Sequence, residues 1–268
     1  MAMEFQGTAL ALSSDGLARV CADLGVHAAE LWAVLAVETK GCGYDSDRRP
    51  RILYERHIFH RLTKGKFDEG DISAVKPGGY GPSGSHQHDR LATAIAKDRV
   101  AALKSASWGL GQIMGENFAA AGFKNVETMV AAMCKSEDEQ LAAMGKFLIS
   151  RKLHKALQAH DWTTFARGYN GSEFAKNSYD VRLRAEFQKY SAGVLPDLSV
   201  RAVQLYLAYL GFYPGDVDGV PGKQMSSALE MFQIRQGLPV SETIDDATVA
   251  LLMKALAPKA TATAGLSR

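Results

Sequence analysis

Hydrophobic residues recur at helical spacing along most of this chain, and this periodicity restricts the fold more than any other feature of the sequence. Between residues 76 and 88 the spacing is interrupted by glycines and prolines, which predict a loop or a hairpin. The segments with helical spacing are 15–24, 27–40, 89–104, 126–134, 137–151, 161–166, 179–190, 200–210, 224–236 and 245–256. We therefore predict a mainly α-helical protein.

The chain has 268 residues, which is long enough for two domains of unequal size. Residues 191–197 include a glycine and a proline and are typical of a linker. We predict one large domain over residues 8–191 and a small three-helix domain over residues 197–257. The small polar residues at 259–268 are typical of a disordered tail.

Composition argues against several classes of protein. The chain is 47% hydrophobic and 22% charged, with a formal net charge of +2, so we expect no nucleic acid partner and no stable membrane insertion. Three widely spaced cysteines, Cys21, Cys42 and Cys134, predict a reducing compartment rather than a disulfide framework. Residues 1–7 lack the basic residues of a secretory signal, and the apolar run at 31–37 is too short to cross a bilayer. We expect a cytoplasmically made monomer.

Glu38 is the most informative single residue of the sequence. It follows Leu31, Val34 and Leu35 at the spacing of one helix face, just before Gly41. A carboxyl on that apolar face would be partly desolvated, which raises its pKa and leaves a proton available for general acid catalysis. The alternative is a glutamate that turns out to solvent or pairs with an arginine.

Three short motifs occur in an order that resembles the goose-type lysozymes and lytic transglycosylases. They are Glu38-Thr39, Gly109-Leu-Gly-Gln-Ile113 and Tyr169-Asn170-Gly171. In that superfamily a serine usually stands where this chain has Thr39, and a methionine where it has Gly111. Thr39 keeps the hydroxyl, and Gly111 affects local packing rather than the chemistry.

Longer segments resemble the N-acetylmuramidase domain of phage endolysins: AVLAVETKGCGY, RPRILYERHIF, KPGGYG, SASWGLGQIMG and YNGSEFAKNSYD. This resemblance implies a two-lobed, lysozyme-like fold that hydrolyses the β-1,4 bond between N-acetylmuramic acid and N-acetylglucosamine. It implies that Glu38 is the acid and that Gln112 and Asn170 line the sugar cleft. It also implies that Tyr169 lies near the acid, where its hydroxyl could position the carboxyl group.

Glycoside hydrolysis commonly uses a second carboxylate, as a nucleophile or to activate water. Of the candidates Asp45, Asp47 and Glu55 we prefer Glu55, because aromatic residues flank it. The alternative for Glu55 is a salt bridge with Arg51 or Arg56. Retention or inversion depends on a carboxyl separation of roughly 5 Å or roughly 6.5–9.5 Å, which the sequence does not give.

Trp108 and the histidines have ordinary structural interpretations beside the chemical ones. The indole of Trp108 offers a flat apolar surface for a sugar face, or it packs in the core. His57 with His60, and His86 with His88, do not have the spacing of a zinc-binding motif. We expect no metal and no other cofactor.

The sequence from 200 to 240 resembles a three-helix peptidoglycan-binding domain. The resemblance implies that the turn at Asp216 and Asp218 shapes a groove, and that Phe212, Tyr213 and Gln233 contact glycan or stem peptide. The alternative for the two aspartates is a purely structural turn.

The expected function is therefore cleavage of peptidoglycan in a host cell wall at phage release, after the inner membrane has been permeabilised. Two alternatives stay open. A lytic transglycosylase would leave a 1,6-anhydro product, and a non-catalytic wall-binding protein would release nothing.

Overall fold

The structure is a computed structural model that describes residues 3–39 and 41–257, with the side chains of residues 172, 173 and 176 not described. The tail predicted at 259–268 and the helix end predicted at residue 40 lie outside the described residues. The chain divides into two compact units, with the boundary after Leu198. The three cysteines are thiols.

The first unit is mainly helical, as predicted. Its helices are α1 (Ser14–Leu24), α2 (Ala28–Thr39), α3 (Arg56–Thr63), α4 (Ser85–Ile95), α5 (Arg99–Lys104), α6 (Val126–Met133), α7 (Glu137–Ser150), α8 (Leu153–Gln158), α9 (Trp162–Asn170) and α10 (Tyr179–Ala192). Short 3₁₀ turns occupy Gly115–Asn117 and Ser172–Asn177. Strands β1 (Ile52–Tyr54), β2 (Ala106–Trp108) and β3 (Ile113–Met114) form one antiparallel sheet.

Helix α2 lies in the centre of the core and carries Glu38 near its end. Its residues from Leu31 to Leu35 are almost fully buried. Helix α1 before it is capped at both ends, by the side chain of Ser13 and by Gly25 in the left-handed conformation. Because residues Leu31 to Leu35 of α2 are buried without a break, the end of this helix is held in a fixed place and gives Glu38 a rigid support.

The turn between β2 and β3 contacts the end of α2. Gly109 begins the turn with φ 68°, and Gln112 closes it with φ 47°. The hydroxyl of Thr39 donates to the carbonyl oxygen of Leu110 at 3.1 Å. This is the hydroxyl that Thr39 shares with the serine usually found at this position. The sheet therefore approaches α2 one residue beyond Glu38.

Several elements differ from the predictions. The single helix predicted at 89–104 is two helices, because Asp98 accepts a hydrogen bond from the backbone N–H of Ala101 and starts a new helix there. Helix α4 begins at Ser85, inside the predicted loop, and the remainder of that loop has no helix or strand. Helices α3 and α8 and the three short strands were not predicted.

The second unit contains α11 (Leu198–Tyr209), α12 (Lys223–Arg235) and α13 (Asp246–Leu256). These bounds agree with the three predicted helices to within about two residues. Its core contains Val203, Leu207, Phe232 and Leu252, each at most 2% exposed. In the part of the chain that the structure describes, no single helix is both long and apolar enough to cross a membrane, although α1 and α2 meet the criteria as a pair bent by 106°.

Candidate active site

The carboxyl group of Glu38 is enclosed by three side chains from α9 and α10. The hydroxyl of Tyr179 donates a hydrogen bond to its Oε1. The side-chain amide of Asn170 donates a second hydrogen bond, and the charge of Arg182 lies close by. Glu38 is half-buried, beside the buried apolar face of α2, in line with the partial desolvation predicted for it.

Burial raises the pKa of Glu38 to about 8, although the charge of Arg182 and the hydrogen bond from Asn170 act in the opposite direction. Desolvation is the largest of these effects. A carboxyl with this pKa keeps its proton at neutral pH, which is the state that a general acid requires.

A cavity of about 270 Å³ lies beside this carboxyl. It is lined by Asn170, Phe174, Asn177, Tyr179 and Arg182, three of which also act on Glu38. Two amides, a guanidinium, a phenol and one aromatic ring can hydrogen-bond hydroxyl and acetamido groups while packing on a sugar face. The cavity therefore has the chemical composition of a saccharide subsite.

Tyr169 lies near Glu38, but its hydroxyl does not position the carboxyl as expected. It donates to the carbonyl oxygen of Gly111 at 2.5 Å, and its ring stacks on Phe165. Tyr179 supplies the hydrogen bond to Glu38 instead. That contact joins residues 141 positions apart. Tyr179 lies within the segment YNGSEFAKNSYD, but the resemblance gave the contact with the acid to Tyr169.

Gln112 uses its side-chain amide to hold the turn after β2. Its Oε1 accepts from Ser107 at 2.8 Å, and its Nε2 donates to the carbonyl oxygens of Gly109 at 2.8 Å and Arg51 at 3.2 Å. These bonds stabilise a non-glycine residue in the left-handed region. A sugar contact by this amide would have to compete with them.

The predicted contact of Trp108 with a sugar is wrong. Trp108 is 0% exposed, its indole N–H donates to the carbonyl oxygen of Leu103 at 3.1 Å, and Phe5 packs against it edge to face. The ring offers no surface to a ligand. Its alternative interpretation, packing in the core, is correct.

Glu55 follows β1 as the N-cap residue of α3, and its carboxyl lies close to His57 and Tyr80. His57 Nδ1 lies 3.1 Å from Glu55 Oε2, and Tyr80 donates a hydrogen bond to this carboxyl. Burial raises the pKa of Glu55, opposed mainly by His57. Glu55 is therefore not paired with Arg51 or Arg56, and its catalytic role stays a prediction.

Asp45 is linked to the end of α2 through Arg51. The Nε of Arg51 lies 3.4 Å from Asp45, while its Nη1 donates to the carbonyl oxygen of Thr39 at 3.0 Å. Burial raises the pKa of Asp45, and the charge of Arg51 opposes this rise. Asp47 is instead paired with Arg49 at 2.7 Å.

The described residues contain no group of three or more His, Cys, Asp or Glu side chains that could hold a metal ion. His60 pairs with Asp68 at 2.6 Å, and the buried His88 hydrogen-bonds to the carbonyl oxygen of Pro50 at 3.0 Å. These two side chains therefore have structural partners.

The second unit has a groove of about 760 Å³ with an apolar wall. Phe212 lines this groove and packs edge to face on Phe232, and the guanidinium of Arg235 lies over its ring. The groove is formed by residues at the ends of the three helices: Leu210, Phe212, Phe232, Arg235, Gln236, Leu238, Leu251, Lys254, Ala255 and Ala257. Phe212 therefore stays a candidate for ligand contact.

Three of the other residues predicted to bind wall polymer, Tyr213, Asp218 and Gln233, have structural roles. Tyr213 is 9% exposed and donates to the carbonyl oxygen of Asp216 at 3.0 Å. Asp218 accepts from the buried Gln204 at 2.8 Å, and thereby orders the turn. Gln233 is 7% exposed and exchanges two hydrogen bonds with the backbone of Ser241. The side chain of Asp216 is exposed.

A glutamate with a raised pKa beside a polar cavity, in a helical domain with one small sheet, is the arrangement expected of a lysozyme-like glycoside hydrolase. The family model of N-acetylmuramidase matches residues 27–191, and that of a peptidoglycan binding domain matches residues 197–252. No curated protein matches the chain significantly. The chain is similar to the crystal structure of the Burkholderia AP3 phage endolysin, with 37% identity over 72% of this chain and 73% of that chain and a TM-score of 0.61.

The chain belongs to the N-acetylmuramidase family. It is a glycoside hydrolase that cleaves peptidoglycan, and it carries a peptidoglycan-binding domain.

Proposed function

We propose that the chain is a phage endolysin in which Glu38 donates the proton that breaks the glycosidic bond. The observation that supports this most directly is a half-buried carboxyl, with its pKa raised to about 8, beside a cavity lined by hydrogen-bonding side chains. The likeness to a phage endolysin over nearly three quarters of both chains supports the biological role.

In the proposed reaction Glu38 transfers its proton to the oxygen that joins N-acetylmuramic acid to N-acetylglucosamine. The bond from the anomeric carbon to this oxygen breaks, and its electron pair stays on the leaving oxygen. A water molecule then adds to the anomeric carbon and gives its proton to a second carboxylate. The products are two saccharide ends, one of them reducing.

The second carboxylate is Glu55 or Asp45. Glu55 is the residue that the sequence favours, and its neighbour His57 helps to keep it charged. Asp45 has one advantage, because Arg51 connects it with the backbone of Thr39, the residue after Glu38. This link favours Asp45 as the base that acts at the same bond.

Glu38→Gln tests the proposal, with Glu139→Gln on the exposed side of α7 as a matched control. Purified peptidoglycan is digested, reducing ends are measured, and the products are identified by mass spectrometry. We expect the Glu38 variant to lose at least about 1000-fold in rate and the control to lose nothing. Full activity in a folded Glu38→Gln protein would remove Glu38 from the mechanism.

The same products separate the other functions. A 1,6-anhydro end would indicate a lytic transglycosylase, free stem peptides a zinc amidase or peptidase, and binding without soluble products a non-catalytic wall protein. We propose that the enzyme is a monomer without a nucleic acid partner, made in the host cytoplasm. It then reaches the periplasmic peptidoglycan once the inner membrane is permeabilised.

A further inference from the structure

The cavity beside Glu38 contains a guanidinium that the proposed reaction does not use. Arg182 lies near the start of α10 and lines this cavity, and its charge acts on Glu38. Its Nη2 donates to the carbonyl oxygen of Val37 in α2 at 3.3 Å. Because a guanidinium has several N–H donors in a fixed plane, this bond holds the side chain against α2 and leaves other donors for a ligand.

The charges around this cavity are mainly positive. Among the residues that the structure describes, none forms a salt bridge with Arg182, and the nearby Asp180 accepts a hydrogen bond from α9 at 3.1 Å instead. A second guanidinium, that of Arg167, lies 5.8 Å from the ring centre of Phe174 on the cavity wall. Glu38 adds no negative charge while it keeps its proton. These surroundings favour an anionic group in the cavity.

The substrate has such a group close to the bond that is cleaved. N-acetylmuramic acid differs from N-acetylglucosamine by a lactyl ether on O3, which ends in a carboxyl group. The glycosidic bond starts at C1 of the same ring, so this carboxyl lies within one sugar ring of the bond and of Glu38. It is free and ionised in strands without stem peptides, and it forms an amide with the first amino acid of the stem in the intact wall.

We propose that Arg182 binds the lactyl carboxyl group of N-acetylmuramic acid and thereby selects the sugar that occupies the cavity beside Glu38. A guanidinium binds a carboxylate through two parallel N–H···O bonds, and such charge-assisted bonds are roughly twice as strong as neutral ones. An amide carbonyl accepts a weaker, neutral bond from the same group, and N-acetylglucosamine offers only a hydroxyl. This inference rests on the proposed role of Glu38 as the acid.

The test uses the full chain and two substrates that differ in one charge. Glycan strands are freed of stem peptides with an amidase, and half of them are coupled to methylamine through the lactyl carboxyl, which reproduces the amide of the intact wall. The release of reducing ends gives kcat/KM on both at pH 6, where the free carboxyl is ionised and Glu38 is protonated. The variant is Arg182→Gln. The matched control is Arg184→Gln, which is exposed on the same helix and does not line the cavity.

We expect the parent protein to cleave the carboxylate strands about 10-fold more efficiently than the amide strands. In Arg182→Gln this preference disappears, because the variant loses about 10-fold more on the carboxylate strands than on the amide strands. A change in the acidity of Glu38 would affect both substrates equally, so the ratio of the two kcat/KM values isolates the contact with the lactyl group. Arg184→Gln keeps the parent ratio.

The parent protein provides a second measurement in case Arg182→Gln folds poorly. Its preference for the carboxylate strands falls as salt is raised from about 0.05 M to about 0.5 M, because salt screens the attraction between the two charges. Equal efficiency of the parent on the two substrates, a preference that salt does not change, or the parent ratio in folded Arg182→Gln overturns the inference. Full activity of Glu38→Gln overturns the proposed function, whereas an inactive Glu38→Gln with the parent ratio in Arg182→Gln overturns only the role of Arg182.

Discussion

Replacing Glu38 with glutamine is expected to make the folded protein more stable at neutral and alkaline pH while it removes activity. Burial raises the pKa of this carboxyl from 4.5 to about 8 in the folded chain. Folding therefore favours the protonated form, and the charged form that prevails at high pH is held in the fold at a cost. Glutamine is close in shape to the protonated acid and carries no charge to desolvate.

The magnitude follows from the two pKa values. Below pH 4.5 the carboxyl of Glu38 is protonated in both the folded and the unfolded chain, so the folded state carries no cost from its ionisation. As pH rises the free energy of unfolding declines by up to about 1.4 kcal/mol for each pH unit, until the folded carboxyl ionises near pH 8. At pH 7 the carboxyl of Glu38 therefore lowers the free energy of unfolding by at most about 3 kcal/mol. Because solvent in the adjacent cavity reduces this effect, we expect Glu38→Gln to raise the free energy of unfolding by about 1–2 kcal/mol.

The assay is urea unfolding of the parent and of Glu38→Gln at pH 5, 6, 7 and 8, followed by circular dichroism. The difference in the free energy of unfolding between the two proteins is expected to grow steadily with pH. Glu139→Gln controls for the loss of a carboxyl on the surface. A constant difference over this pH range would show that the carboxyl of Glu38 is not desolvated, and would refute the reasoning.

The remaining predictions concern packing, the second carboxylate and the binding groove. Trp108→Ala is expected to lower the free energy of unfolding by about 3–5 kcal/mol, measured in urea, and a loss below about 1 kcal/mol would contradict its place in the core. Asp45→Asn is expected to reduce the release of reducing ends more than Glu55→Gln does; the reverse order would make Glu55 the base. Phe212→Ala is expected to weaken sedimentation with insoluble peptidoglycan about 5- to 10-fold, against an unchanged Val220→Ala control outside the groove.

The position of Glu38 on the apolar face of α2 could be predicted from sequence because the helical period is local. Leu31, Val34 and Leu35 lie within two turns of the same helix, and the helical period alone places them beside position 38. Tyr179 could not be found in this way. It reaches Glu38 through the packing of α10 on α2, and the period of either helix carries no information about that pairing.

Residue type was a poor guide to which side chains face the cavity. Trp108 and Gln112 are chemically suited to sugars, but the structure uses one in the core and the other in a turn. The strand that carries Trp108 is only three residues long and buried throughout, so its alternation gave no signal of an inner and an outer face. The break between α4 and α5 depends on a single helix cap at Asp98. One capping residue could not be recognised within a stretch whose hydrophobic residues keep helical spacing throughout.

The environment of Glu38 combines two opposing effects, and the balance between them determines its strength as an acid. Burial alone would hold the proton too firmly, because the carboxylate left behind would be unsolvated. Arg182, Asn170 and Tyr179 offset part of that cost by supplying a positive charge and two donors. A proton transfer is fastest when the pKa of the acid lies near the working pH, so these three side chains and the apolar wall of α2 must be tuned together. Removing the charge of Arg182 should therefore raise the pKa of Glu38 and weaken the acid, although it leaves the acid itself in place.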